Sequence, residues 1–290
     1  MKISMYTNAI SMTSTRSLGK ATDALSVAMQ RLGTGKRINS AADDAAGLQI
    51  ATRLQSQSNG MTVAKHNIAR SSAMMSLGEG ALEEVTNVLQ RMKELSTQAA
   101  DDSFSAEDRS AMQSEYDALF SEMDNIMRNT RYGSEPLLQS VIPPEVKGKF
   151  TSTVQFQIGS SSEEVLKVNL DTKLQDSVDA MLDLVTVPGN PGALEDSMTA
   201  NDNIDMVSEA LEKVQSVRSE FGSNINRLQY TDANLSNMRD NTDINIGTIV
   251  DADYAMEVTK MTRMNMLMQS SQAMLNQGNG IARMALNLLG

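Results

Sequence analysis

The sequence predicts a mainly α-helical fold: a long antiparallel helical bundle or coiled coil with a small β-hairpin, its terminal helices forming a separate coiled-coil core domain. Three observations carry this. Apolar residues recur at three- and four-residue spacings through both flanks of the chain, the period of helices packed on helices. All five prolines, Pro136, Pro143, Pro144, Pro188 and Pro191, lie in the middle, so uninterrupted helices are allowed on both sides and discouraged between them. Aromatics make up only 3% of the 290 residues, with no Trp and 5 Phe against 22 Met. Burial must then come from aliphatic and Met side chains meeting along extended seams, because aromatics usually supply much of a thick core.

The first stripe is Leu18, Ala21, Leu25, Ala28 and Leu32. It runs into RLGTGKRINSAADDAAGLQI at 31–50, whose glycines and basic pair suggest a phosphate-holding loop. A P-loop needs a glycine five residues before the Gly-Lys pair and a hydroxyl residue after the lysine. Gln30 and Arg37 stand there instead. Ser40 and Asp43 have capping-box spacing, so the stretch reads as a break between two helices, with that pair capping the second.

From Met61 the positions Ala64, Ile68, Ser71, Met75, Gly78, Leu82, Val85, Leu89, Met92, Ser96 and Ala99 keep the three-four beat without interruption, a seam of about 58 Å if fully helical. After DDSFSAED the beat resumes with Met112, Tyr116, Leu119, Met123 and Ile126. In the middle, TVQFQI (153–158) and VLKVNL (165–170) alternate apolar and polar residues around the turn-forming GSSSEE, which predicts a β-hairpin. LQDSVDAMLDLV predicts a short helix before the loop PGNPG at 188–192. A third long helix follows with Ile204, Val207, Leu211, Val214, Phe221, Ile225 and Leu228. The C-terminal stripe is Met261, Met264, Met268, Ser271, Leu275, Gly278, Ala282, Ala285 and Leu289. Both terminal stripes are thin. Alone they bury too little to offset the entropy of ordering, so the isolated chain is expected to be ordered from Ala45 to Ile249 and disordered at its ends.

Composition excludes several chemistries. Zero cysteines removes disulfides, thiolate nucleophiles and zinc-thiolate sites. A lone His66 cannot form a metal cluster and reads as a polar helix residue. A net charge of −11 argues against nucleic acid. No apolar run is long enough for membrane insertion. The stretch MKISMYTNAISMTSTRSLGK has no continuous apolar core, so a cleaved signal peptide is not expected. Adjacent carboxylates such as Glu83 and Glu84 have no positioned base or nucleophile beside them, so neither an enzyme nor a cofactor is expected.

The stretches LSVAMQRLGTGKRINSAADDAAGLQI, LQRMKELSTQAA and DADYAMEVTKMTRMNMLMQSSQAMLNQGNGIARMALNLLG closely resemble the terminal regions of bacterial flagellins, with three motifs in the family's order. The resemblance implies a structural subunit that polymerises into the flagellar filament, outside the cell. It implies that 1–43 is the N-terminal helix and spoke of the filament core domain, with Ser40 and Asp43 in the spoke. By the same resemblance 44–250 is an outer helical domain with its hairpin near 153–170, and 251–290 is the C-terminal core helix. Self-assembly residues on these terms are Leu18, Leu25, Leu32, Met261, Met268, Leu275 and Leu289. Implied partners are further copies of the chain, an export chaperone and the type III export apparatus, and the filament cap and hook-junction proteins. A host Toll-like receptor is implied through residues matching Arg91, Leu95 and Glu115; the residues themselves also read as a seam leucine and two surface charges. The middle is short for the family, which implies little surface decoration. Two alternatives fit parts of the pattern: a hook-filament junction protein of the same axial system, or an amphipathic helical protein binding membranes or partner helices through Met-rich faces.

Overall fold

The structure is a computed structural model that describes residues 9–139, 141, 147–186 and 194–288. Leu289, Pro143, Pro144 and the loop 188–192 lie outside the described residues. The elements are α1 (Ala9–Thr34), α2 (Ala45–Ala99), α3 (Ala106–Asn129), β1 (Arg131–Tyr132), β2 (Glu135–Pro136), a 3-10 turn (Lys149–Thr151), β3 (Val154–Gln157), β4 (Val165–Val168), α4 (Asp171–Thr186), α5 (Ser197–Val250) and α6 (Tyr254–Leu288).

The chain divides into two compact units, one made of Met1–Ser58 with Asp240–Gly290 and the other of Asn59–Arg239. The division falls inside α2 and α5, whereas the sequence boundaries were drawn at the helix breaks near 43/44 and 250/251. The reason is packing at the helix ends: Ser58 donates to Asp243 at 2.7 Å, which ties the first turns of α2 to the last turns of α5 inside the terminal unit.

In the larger unit, all twelve seam positions of α2 from Met61 to Ala99 are buried. They meet α5, whose Val207, Val214, Phe221 and Leu228 are buried while the predicted Ile204, Leu211 and Ile225 are half-buried beside them. The two helices run antiparallel, as the pairs Glu79–Arg218 at 2.8 Å and Ser96–Asn203 at 2.9 Å require. A buried polar relay fixes their register with α3: the Tyr116 hydroxyl donates to Asn203 (3.2 Å), Asn203 donates to Ser96, and Ser96 donates to the Met92 carbonyl (2.9 Å). Each buried polar group in the relay has a partner, the condition for such groups to specify an arrangement without a desolvation penalty. Burial pushes the Tyr116 phenol up to about 12, so it stays a donor at ordinary pH.

The stripe on α3 differs from the expectation. Tyr116, Phe120, Met123 and Met127 are buried, while Met112, Leu119 and Ile126 are only half-buried. Two overlapping stripes satisfy the helical period here, and the partner surface selects the one carrying the larger ring at Phe120. The N-terminus of α3 has a true capping box: the Ser105 side chain accepts from the Asp108 amide, and the Asp108 carboxylate accepts from the Ser105 amide.

The predicted hairpin is β3–β4, antiparallel with Val154 opposite Val168 and Gln157 opposite Val165, and the predicted short helix is α4. The β1–β2 hairpin was not predicted. It has only two residues per strand, too few for an alternation to register, and it turns at Gly133 with φ +65. The segment leading to β3 is fitted closely: a Cβ at Gly148 would run into the backbone of Leu137 and Leu138. Beyond it Phe150 meets Phe221 edge to face at 4.9 Å and 89°.

In the terminal unit α1 and α6 run antiparallel, with Ser11 donating to Asn279 (3.1 Å) and Arg31 to Glu257 (3.0 Å) at opposite ends. The terminal segments were expected to be disordered in an isolated chain, and here they form a helix pair. Apart from Glu257, its buried positions among the described residues are small, Ser14, Ala21 and Ala28 on α1 and Ser271 and Gly278 on α6. That lets the two backbones approach along a regular seam with little side-chain entropy to lose.

Candidate functional site

The terminal unit holds the residues singled out for self-assembly, and its construction starts at the 31–50 break. α1 stops at Thr34, where Gly35 takes φ +72, a conformation that favours glycine. The chain then runs antiparallel to the segment after α5. Lys36 bridges Asp251, with the Arg37 amide donating to the Val250 carbonyl (2.6 Å) and the Ala252 amide to the Gly35 carbonyl (2.9 Å). The Arg37 guanidinium donates to the Ile249 carbonyl at 2.6 Å. The Tyr254 hydroxyl donates to the Leu32 carbonyl at 2.7 Å. These two side chains satisfy carbonyls that the ends of α5 and α1 would otherwise leave free.

Ser40 and Asp43 are together, but they do not cap α2. The Asp43 carboxylate accepts from the amides of Ser40 (2.8 Å) and Asn39 (3.1 Å) and from the Ser40 hydroxyl (3.0 Å). Those bonds, the Ser40 amide first, hold its carboxyl below the usual carboxylate value. The pair closes a turn ahead of the helix. The cap is Asp44, whose carboxylate accepts from the Gly47 amide at 2.9 Å, the third residue of α2 and a preferred N-cap contact. A side chain at Gly47 would displace the ends of two neighbours, since a Cβ would meet Asp44 Oδ2 at 2.6 Å and Ile38 Cδ1 at 2.8 Å.

Above the joint lies an ion cluster not foreseen from sequence. Glu257 is 4% exposed and accepts from Arg31 at 3.0 Å and Lys260 at 3.1 Å. Arg31 Nε is buried with no partner, so this interaction is not fully satisfied. Burial pushes the Glu257 carboxyl upward, but hydrogen bonds and charge from Arg31 and Lys260 outweigh it and hold the group below the ordinary carboxylate value. A depressed folded-state value means stability that is fully present above the unfolded pKa, about 4.3, and is lost as pH falls through the folded value. Hydrogen exchange of the α6 amides should therefore accelerate in acid below pH of about 4 more in the wild type than in Glu257→Gln. Equal acid sensitivity in the two proteins would show that Glu257 does not carry the effect.

Leu18, Leu25 and Leu32 on α1 and Met261, Met268 and Leu275 on α6 all sit on the α1–α6 seam, and all are half-buried. The small residues fill the seam, and the large ones flank it with apolar surface still open. Met12, Met29, Met256, Met266 and Met274 in the same unit are exposed outright. That much open apolar surface on a small helix pair marks an interaction face.

The three residues assigned to receptor contact do not share one surface. Arg91 and Glu115 are exposed and bonded to each other at 2.8 Å, with Glu94 also on Arg91 at 3.0 Å. Leu95 is 2% exposed and belongs to the core, which corrects its placement as a contact residue: it lies beside the buried seam residues Met92 and Ser96. Among the described residues no group of three His, Cys, Asp or Glu could hold a metal, and no helix is long and apolar enough to cross a membrane.

Comparison with known proteins agrees with this arrangement. The family model for the bacterial flagellin N-terminal helical region matches residues 5–142, and that for the bacterial flagellin C-terminal helical region matches 204–289. Flagellin of Halalkalibacterium halodurans is 34% identical, the match covering 90% of each chain. Polar flagellin F of Vibrio parahaemolyticus is 31% identical over 100% of both. A solved structure described as a flagellar hook-associated protein from Vibrio parahaemolyticus covers 72% of this chain and 100% of its own, at TM-score 0.56 and 14% identity, a likeness of fold alone.

Proposed function

This chain belongs to the bacterial flagellins and is a structural subunit of the flagellar filament rather than an enzyme; from that premise we propose that it polymerises through the α1–α6 pair. The observation that carries the reading is the coincidence of the half-buried Leu18, Leu25, Leu32, Met261, Met268 and Leu275 with exposed methionines in one unit. In a polymer such a face finds neighbouring copies, and a heterologous contact repeated without ring closure gives an open helical filament. On this reading the terminal unit is the filament core and the larger unit faces outward. The hook-junction alternative rests only on a shared fold, and the membrane alternative lacks a dense cationic face, since the α6 sequence holds just three cations, Lys260, Arg263 and Arg283. Purified protein added to filament seeds should extend them at uniform width in electron micrographs. Vesicle deformation without filaments would favour the membrane reading.

Family membership also supports a finer reading of the partners, which we propose as follows. The subunit is exported through the type III apparatus without cleavage, with a chaperone on α6, and is placed at the tip by a cap after the junction proteins. The subunit mass in secreted filaments should equal that of the uncleaved sequence. Recognition by a Toll-like receptor would use the exposed Arg91 and Glu115, with Leu95 in a packing role. Arg91→Ala should then lower receptor-reporter activation while assembly is unchanged, and unchanged activation would remove this assignment.

A further inference from the structure

The chain carries 22 methionines, and they are unevenly placed. In the larger unit Met61, Met75, Met92, Met123 and Met127 are fully buried, where a thioether acts as adaptable packing, and Met198 is an isolated open one at 74%. On α6 the case is different. Met256 is 59% exposed, Met266 is 64% and Met274 is 56%, with Met261, Met264 and Met268 half-buried along the same helix. Filament packing alone does not ask for thioethers at open positions, since Leu267 on the same helix, 48% exposed, supplies the same apolar area.

We infer that Met256, Met266 and Met274 are oxidation sites through which peroxide-class oxidants control the assembly competence of the free subunit. In the reaction the thioether sulfur attacks one peroxide oxygen. An S–O bond forms, the O–O bond breaks, sulfur loses two electrons, and the displaced hydroxide takes the remaining proton and leaves as water. The product is methionine sulfoxide, polar and chiral where the side chain had been apolar. Three such groups on α6 place polar S–O dipoles on a surface that must be desolvated on assembly, and each polar group buried without a partner disfavours burial. The change is reversible by methionine sulfoxide reductases, in which a dithiol becomes a disulfide and the sulfoxide oxygen departs as water. With no cysteine in the chain, the protein's own oxidation chemistry centres on methionine.

This inference rests on the reading of the terminal unit as the assembly surface, and it is sensitive to order of events. In the free subunit the three thioethers are open to oxidant; in a filament the same face is covered. The test uses full-length protein and hydrogen peroxide as the probe, removed with catalase before seeded polymerisation, with sulfoxide located by peptide mass spectrometry.

Peroxide-treated monomer is expected to need about tenfold or more higher concentration to polymerise, and reductase treatment is expected to restore it. Filaments treated identically should show little sulfoxide at the three positions. A Met256→Leu, Met266→Leu, Met274→Leu variant should polymerise equally before and after peroxide. If the three residues are protected in filaments but oxidised monomer polymerises normally, the inference fails and the assembly reading stands. If they oxidise equally fast in filament and monomer, the α6 face is open in the filament, and the assembly reading fails with it. A triple variant still inhibited by peroxide overturns the assignment to these residues. Should that variant fail to polymerise untreated, rescue of oxidised wild type by the reductase decides: no rescue counts against the inference.

Discussion

Leu275→Asp is expected to abolish polymerisation while the larger unit keeps its helical circular dichroism and its unfolding transition. Leu275 is half-buried on the α1–α6 seam between the buried Ser271 and Gly278, so no large neighbour covers its loss. Once a neighbouring copy completes its burial on assembly, truncating such a leucine costs about 2–5 kcal/mol, and placing a carboxylate there adds the penalty of an unpaired charge. Every ~1.4 kcal/mol raises the critical concentration about tenfold, and the cost recurs with each subunit added. Ser110→Asp introduces the same charge at an exposed position of α3 and should assemble normally. Filaments of Leu275→Asp at the wild-type critical concentration would show that the seam is not the assembly interface.

Phe221→Ala should produce the largest loss of stability in the other unit. Phe221 is fully buried, meets Phe150 edge to face, and faces Gly78 with its ring tip 3.2 Å from where a Cβ would stand. A glycine opposite cannot swing a side chain into the space. The cavity should persist and cost about 3–5 kcal/mol, a large fraction of the 5–15 kcal/mol that holds a typical domain together. Denaturant unfolding followed by circular dichroism measures it, and a loss below about 1 kcal/mol would mean that the site collapses around the gap.

What could be read from sequence depended on how far apart the deciding residues lie. The centre of the α2 seam was legible, because twelve positions in strict three-four spacing mark one stripe, although Met74, Thr86 and Leu95 beside it are buried as well. On α3 two stripes overlap, and only the surface of the partner chooses Phe120 over Leu119. At the 31–50 break, the capping-box spacing pointed to Ser40 and Asp43 alone. The pair closes a turn instead, and the cap is Asp44 on the Gly47 amide, a contact the sequence reading did not offer. Leu95 carried a contact role by resemblance, while its place beside Met92 and Ser96 already put it at the edge of the buried seam. The Arg31–Glu257 pair spans 226 positions and leaves no periodic trace, so it emerged only from the fold.

The joint at Lys36 and Asp251 has a mechanical consequence. The backbone crosses it twice, once from α1 toward α2 and once from α5 toward α6, and the two crossings are laced by the Arg37–Val250 and Ala252–Gly35 bonds. A pull along the crossings is therefore shared by two covalent strands in parallel, and the hydrogen bonds between them bear only the component that splays the strands apart. A rotating filament loads its subunits in tension and torsion together. In this joint tension falls on the covalent backbone, and splaying is resisted by the Arg37–Val250 and Ala252–Gly35 bonds together with the side-chain bonds Arg37–Ile249 and Tyr254–Leu32.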